Sequence, residues 1–174
     1  SIAAKSAVSV LDMQNDISES VTTMDLRNGS IIVSVENGQQ YAVQKNIKRQ
    51  ISDLVVTTNN DETTNTLTIE GGTTAAKVTL HNVNIDASGA AVSVSGDVEL
   101  IISGTNTLQS GWDHAGVEKA DDNGTLTISG SGELKAYGGY WGAGIGSGSE
   151  KGCSNIVIES GTITAKGGVL GAGI

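Results

Sequence analysis

One phrase recurs three times in the second half of the chain, in a fixed register. Gly111-Trp112-Asp113-His114-Ala115-Gly116-Val117 aligns with Gly139-Tyr140-Trp141-Gly142-Ala143-Gly144-Ile145, and both align with Gly168-Val169-Leu170-Gly171-Ala172-Gly173-Ile174. Trp112 and Tyr140 lie 28 positions apart, Tyr140 and Val169 29. A period in this range belongs to architectures that stack one small unit on the next. Composition narrows the choice further. Pro and Phe are absent, aromatic residues make up 3 %, and 24 of the 174 residues are Gly. A core without Phe is thin and built from Val, Ile, Leu and Ala. That suits a narrow stacked interior better than a sandwich or a helical bundle.

From about Thr66 the repeats are clear. Each opens on a short run of alternating apolar and polar residues, the period-2 mark of a half-buried strand. These runs are Leu67-Thr68-Ile69, Val78-Thr79-Leu80, Leu100-Ile101-Ile102, Leu126-Thr127-Ile128 and Ile156-Val157-Ile158. A Gly-centred turn follows, then a second run such as Thr107-Leu108, Glu133-Leu134-Lys135 or Thr162-Ile163-Thr164. A Gly corner then leads to a third run carrying Val92, Val117, Ile145 or Ile174. Three strands and three turns per period predict an all-β chain coiled as a parallel β-helix, with residues 66–174 forming the coils. Two inward columns are expected, one of Ile69, Leu80, Leu100, Leu126 and Ile156, the other of Val92, Val117, Ile145 and Ile174.

Residues 1–65 read differently. Ala3, Ala4, Ala7, Val8 and Leu11 share one face at helical spacing. Val21–Val43 contains Asn28-Gly29 and Asn37-Gly38, turn pairs that suggest a small meander. Ile47, Ile51 and Leu54 again have helical spacing, followed by a strand at Val55-Val56-Thr57-Thr58. A stacked fold exposes a bare first layer unless it is covered. Residues 1–65 are therefore expected to supply an N-terminal cap and lead-in strands. The chain is read as a fragment of a longer protein, since it stops within a repeat at Ile174.

The formal net charge is −9, which disfavours nucleic acid as a partner because a phosphate backbone demands a basic face. No apolar run is long enough for a membrane span. A single cysteine, Cys153, allows no disulfide within the chain.

Several segments together resemble a known family. They are Thr66-Leu67-Thr68-Ile69, Val78-Thr79-Leu80-His81-Asn82-Val83-Asn84-Ile85-Asp86, Gly104-Thr105-Asn106-Thr107-Leu108, Gly124-Thr125-Leu126-Thr127-Ile128-Ser129-Gly130 and Gly142-Ala143-Gly144-Ile145-Gly146. Over residues 54–174 the chain resembles the β-helical repeat modules of Firmicutes surface proteins, similar to pectate-lyase-like carbohydrate-binding domains. The resemblance implies a right-handed helix, a secreted or cell-surface location, and non-catalytic binding of polysaccharide, with calcium as a cofactor in one branch. No calcium ligands of this chain can be placed from it.

The few aromatic residues cluster at one corner of the repeat. Trp112 aligns with Tyr140, Asp113 with Trp141, and Tyr137 lies just before the same corner. Equivalent residues of adjacent layers sit one strand spacing apart, so the rings are expected to stack outward as a ladder. Exposed rings suit the C–H face of a sugar, with Asp113 and His114 as polar neighbours. They also suit a protein partner, since aromatic anchors dominate such interfaces, and they equally suit a structural role in covering the thin core. The candidate ligand-binding residues are Trp112, Asp113, His114, Tyr137, Tyr140 and Trp141. A polysaccharide or host glycan is the expected partner. A host protein such as an immunoglobulin or mucin, or a plain spacer role, is the alternative.

An enzyme is not expected. Asp113 and His114 are adjacent, but no nucleophile or second carboxylate is specified beside them. Both arginines, Arg27 and Arg49, fall outside the repeats, which hold only scattered lysines. Asp121-Asp122-Asn123 and Glu118 offer the oxygens calcium prefers, yet without a calcium-loop spacing, and they read rather as a solvated turn.

Overall fold

The structure is a computed structural model and describes residues 20–119 and 121–174. It is all-β, with one three-residue 3-10 turn at Leu26–Asn28. Its strands form three sheets. The first holds Thr22–Asp25, Leu54–Thr57, Ala76–His81, Val98–Ser103, Leu126–Gly130 and Ile156–Ile158, all parallel. The third holds Glu62–Thr63, Asn84–Asp86, Thr105–Gln109, Glu133–Tyr137 and Thr162–Lys166, also parallel. The second runs from Ile145–Gly146 through Val117–Lys119, Val92–Ser95 and Leu67–Glu70 to Ile31–Glu36 in parallel. It then continues antiparallel through Gln39–Gln44 and Ile47–Gln50. From Leu54 onward the chain visits first, third and second sheet in strict rotation. The sheets run without a break across residue 65.

Alternation explains why these segments are strands. In Val98–Ser103, Val98, Leu100 and Ile102 are buried while Glu99 is exposed. Each such Val, Leu or Ile taken out of water contributes about 1.5–3 kcal/mol. The buried residues of all three sheets form one continuous cluster, from Met24 and Leu26 to Ile145.

Register departs from the expected first column. Leu67-Thr68-Ile69 belongs to the second sheet, where Leu67 faces Val92 and Ile69 faces Val94. In the first sheet Leu80 faces Ile102 and Leu100 faces Ile128, while Leu126 faces Ile156 as expected. A shift by two residues keeps the same side chains inward, so alternation fixes the face and leaves the register open. In the second sheet Val92 faces Val117 and Val117 faces Ile145, as the sequence predicts.

The segment around Ile47 is a strand and not a helix. Lys45 and Asn46 both take positive φ, 50° and 63°, and form a two-residue turn that folds Ile47–Gln50 back onto Gln39–Gln44. Asn37 and Gly38 make the other hairpin turn, at φ 50° and 74°. Asn28-Gly29 closes the 3-10 turn, and the strands on either side of it lie in different sheets. The alanine-rich face at Ala3–Leu11 lies outside the described residues.

Among the buried polar side chains are Asn106 and Lys119. Asn106 is fully buried; its Oδ1 accepts from Val83 N at 2.9 Å, and its Nδ2 donates to Ser103 O and Glu133 O at 2.9 and 3.2 Å. One amide thereby ties three successive layers. Lys119 stands opposite Val94, in line with Ile69 and Val33, and its side chain has no solvent exposure.

Candidate functional site

Each copy of the repeated phrase opens on a tight turn. His114 N–H donates to Gly111 O at 3.0 Å, Gly142 N–H to Gly139 O at 3.0 Å, and Gly171 N–H to Gly168 O at 3.2 Å. The central pairs of these turns are Trp112-Asp113, Tyr140-Trp141 and Val169-Leu170. Successive turns bond directly to one another: Trp141 N–H donates to Trp112 O at 2.9 Å, and Leu170 N–H to Tyr140 O at 3.0 Å. The glycines follow from this close stacking. A Cβ on Gly139 would stand 1.9 Å from Gly111 O, and one on Gly142 would stand 1.9 Å from His114 O. Where backbone meets backbone so closely only Gly fits.

The turn tips face solvent. Trp112 is 71 % exposed, Tyr140 41 % and Trp141 45 %. The Trp112 and Tyr140 rings stack with centroids 5.4 Å apart and planes at 28°, and Trp141 meets Tyr140 edge-on at 5.4 Å and 65°. Val169 and Leu170 continue the two columns at 72 % and 58 % exposure. Contiguous exposed apolar surface is the unusual case, whereas isolated exposed apolar residues are ordinary. Asp113 is also exposed, and its carbonyl accepts from Ser149 N–H at 2.8 Å.

Tyr137 is placed apart from the ring stack. It ends the strand Glu133–Tyr137 with its side chain on the outer face, between Gln109 and Lys166 of the neighbouring strands. These three residues line a cleft of about 370 Å³ that also reaches Val169. Val169 thus belongs to both the cleft and the strip.

His114 is half-exposed and anchored from below. Its Nδ1 lies 3.0 Å from Glu118 Oε2 and 3.3 Å from Oε1, and the same Oε2 accepts from Ala115 N–H at 3.0 Å. Glu118 itself is buried. Gly148 closes over it, since a Cβ there would stand 3.0 Å from Oε2 and 2.3 Å from Asp113 O.

The oxygens of the 121–123 turn converge on the ammonium of Lys119. Nζ donates to Asp121 O at 2.6 Å and Asn123 O at 3.3 Å, and lies 3.5 Å from Asp121 Oδ1. Asp122 Oδ1 accepts from Ser154 Oγ at 2.9 Å. Glu118 is committed to His114 and Ala115. Among the described residues no group of three or more His, Cys, Asp or Glu is placed to hold a metal ion. Cys153 is half-buried, and burial raises its thiol pKa against the opposing charge of Lys119, so the thiolate that reacts is disfavoured.

Sequence reasoning did not single out Val169, Leu170, Lys166 or the His114–Glu118 pair. The third copy of the phrase held the signal for the first two, because its central positions align with Tyr140 and Trp141. Ser110, which immediately precedes the first copy of the phrase, is buried, and its Oγ accepts from Ala91 N–H at 2.8 Å. Compared with protein-family models, curated proteins and solved structures, the chain matches none.

Proposed function

We propose that this chain is a right-handed parallel β-helix from a bacterial cell-surface or secreted protein of the Firmicutes repeat type, and that its corner strip binds a polysaccharide or host glycan without cleaving it. The rotation of parallel strands through three sheets supports the helix, and the antiparallel extension Gln39–Gln50 acts as its N-terminal cap. The observation that carries the binding reading is the exposed stack of Trp112 on Tyr140, flanked by Trp141. The structure uses these rings little for its core, since the tips are in water. Sugar rings present an apolar C–H face that lies flat on such rings, and their hydroxyls need polar neighbours of the kind Asp113 and His114 provide.

A second reading has its own observation. Val169 and Leu170 extend the strip with aliphatic groups that offer no stacking plane, which favours a protein partner such as an immunoglobulin or mucin. Retention on a glycan array and on serum or mucus proteins separates the two. The glycan reading expects wild type to be retained on a defined glycan, and Trp112→Ala combined with Tyr140→Ala and Trp141→Ala to be released from it. Equal retention of both proteins on every glycan would refute it. Capture of a host protein that survives deglycosylation would support the second reading.

A further inference from the structure

We propose that Glu118 is a positioning residue of the strip, which keeps the His114 proton on Nδ1 and leaves Nε2 as the acceptor for a ligand hydroxyl. The inference rests on the glycan reading above and goes beyond it, because it names the hydrogen-bonding sense the site selects. A carboxylate only accepts hydrogen bonds, so a bond between Glu118 and Nδ1 requires the proton on Nδ1. The carboxylate cannot swing away. Ala115 N–H holds the same Oε2, and the Gly148 turn covers it. The imidazole is therefore fixed through one nitrogen by a buried group, while the side chain remains 41 % exposed at the corner turn that carries Trp112. A neutral imidazole with Nδ1 protonated presents an acceptor at Nε2. Beside an apolar ring face, that acceptor selects a ligand with an outward hydroxyl donor next to a C–H surface. Metal-binding histidines are oriented by the same device, a carboxylate behind the ring.

The test combines a spectroscopic and a binding readout on the whole chain. Long-range proton–nitrogen NMR identifies which nitrogen of each imidazole carries the proton. The chain has two His, so His114→Ala assigns the signals. In wild type, His114 is expected to carry its proton on Nδ1. In Glu118→Leu no acceptor remains behind the ring, so nothing holds the proton on Nδ1 and the Nε2-protonated form gains. Affinity for the glycan retained by wild type then falls about tenfold, the scale of one lost ligand hydrogen bond. His114→Ala loses a similar factor, and His114→Gln recovers part of it because its amide oxygen accepts. These two half-exposed substitutions decide the matter if thermal melts show Glu118→Leu to be unfolded. A wild-type proton on Nε2, or glycan affinity equal in wild type and a folded Glu118→Leu, overturns the positioning role alone. Wild type that binds no glycan overturns the glycan reading and this inference with it.

Discussion

At the scale of single residues, exposure separates side chains that hold the fold from those free to do something else. Trp112 gains from its stack on Tyr140 only about 0.5–1.5 kcal/mol, and most of its surface remains in water. Trp112→Ala is therefore expected to lower chemical-denaturation stability by no more than about 1.5 kcal/mol. A larger loss would mean the ring is a structural cover. Asn106 is the opposite case. Asn106→Ala leaves Val83 N–H and two carbonyls without their partner, and a cost of about 2–3 kcal/mol is expected in the same assay. Neither the burial of Asn106 nor that of Lys119 was legible in the sequence. A polar residue at an inward position breaks the alternation from which strands are read, and only the register shows what satisfies it.

Asp25 supplies a pH prediction. Its hydrogen bonds from the Arg27 side chain hold its pKa below the usual carboxylate value, outweighing the opposing effect of burial. Arg27 also pairs with Asp61. A carboxylate whose pKa is lowered by folding stabilises the folded state above its unfolded value and loses that contribution as pH falls through the folded value. Asp25→Asn preserves the cap on the 3-10 turn, because Asn also accepts there. The difference in melting temperature between wild type and Asp25→Asn is expected at neutral pH and to vanish in strong acid. It is also expected to shrink with added salt, since the pair is largely exposed.

At the scale of elements, turns decide what strands become. The helical spacing of Ile47, Ile51 and Leu54 is coincidental, because Lys45-Asn46 turns the chain by positive φ before a helix can start. Asn37-Gly38 was legible because Asn-Gly at a hairpin is a strong local signal, whereas Lys-Asn is not. The corner turns were legible from repetition, and their glycines have a steric reason. Gly139→Ala pushes a methyl group into Gly111 O and is expected to cost at least about 2 kcal/mol. Gly89→Ala meets no atom within 4 Å and is expected to be near neutral. Equal melting temperatures for the two variants would contradict the close stacking of successive corners.

At the scale of the whole molecule, the three-sheet rotation turns a weak local pattern into a surface. Any residue repeated at the corner appears one strand step further along, at about 4.8 Å. The sequence therefore located the strip while missing how far it runs, since Val169 and Leu170 are not aromatic. It could not show the pairing of His114 with Glu118, which depends on the corner folding the chain back over four residues. It also could not show that the Lys119 ammonium takes the main-chain carbonyls of Asp121 and Asn123. The other end of the second sheet finishes in Ile47–Gln50, an exposed strand bearing Lys48 and Arg49. Charged edges of this kind resist strand addition by another chain.

Both tryptophans of the chain lie in the strip, so tryptophan fluorescence, excited beyond the tyrosine band, reports on this surface and no other. Titration with each glycan or host protein that retains the chain, followed by emission and acrylamide quenching, is the most direct measurement. A ligand that covers Trp112 and Trp141 shifts the emission to the blue and protects it from quenching, saturating at the affinity measured by retention. A retained ligand that leaves emission and quenching unchanged contradicts the strip as the binding surface.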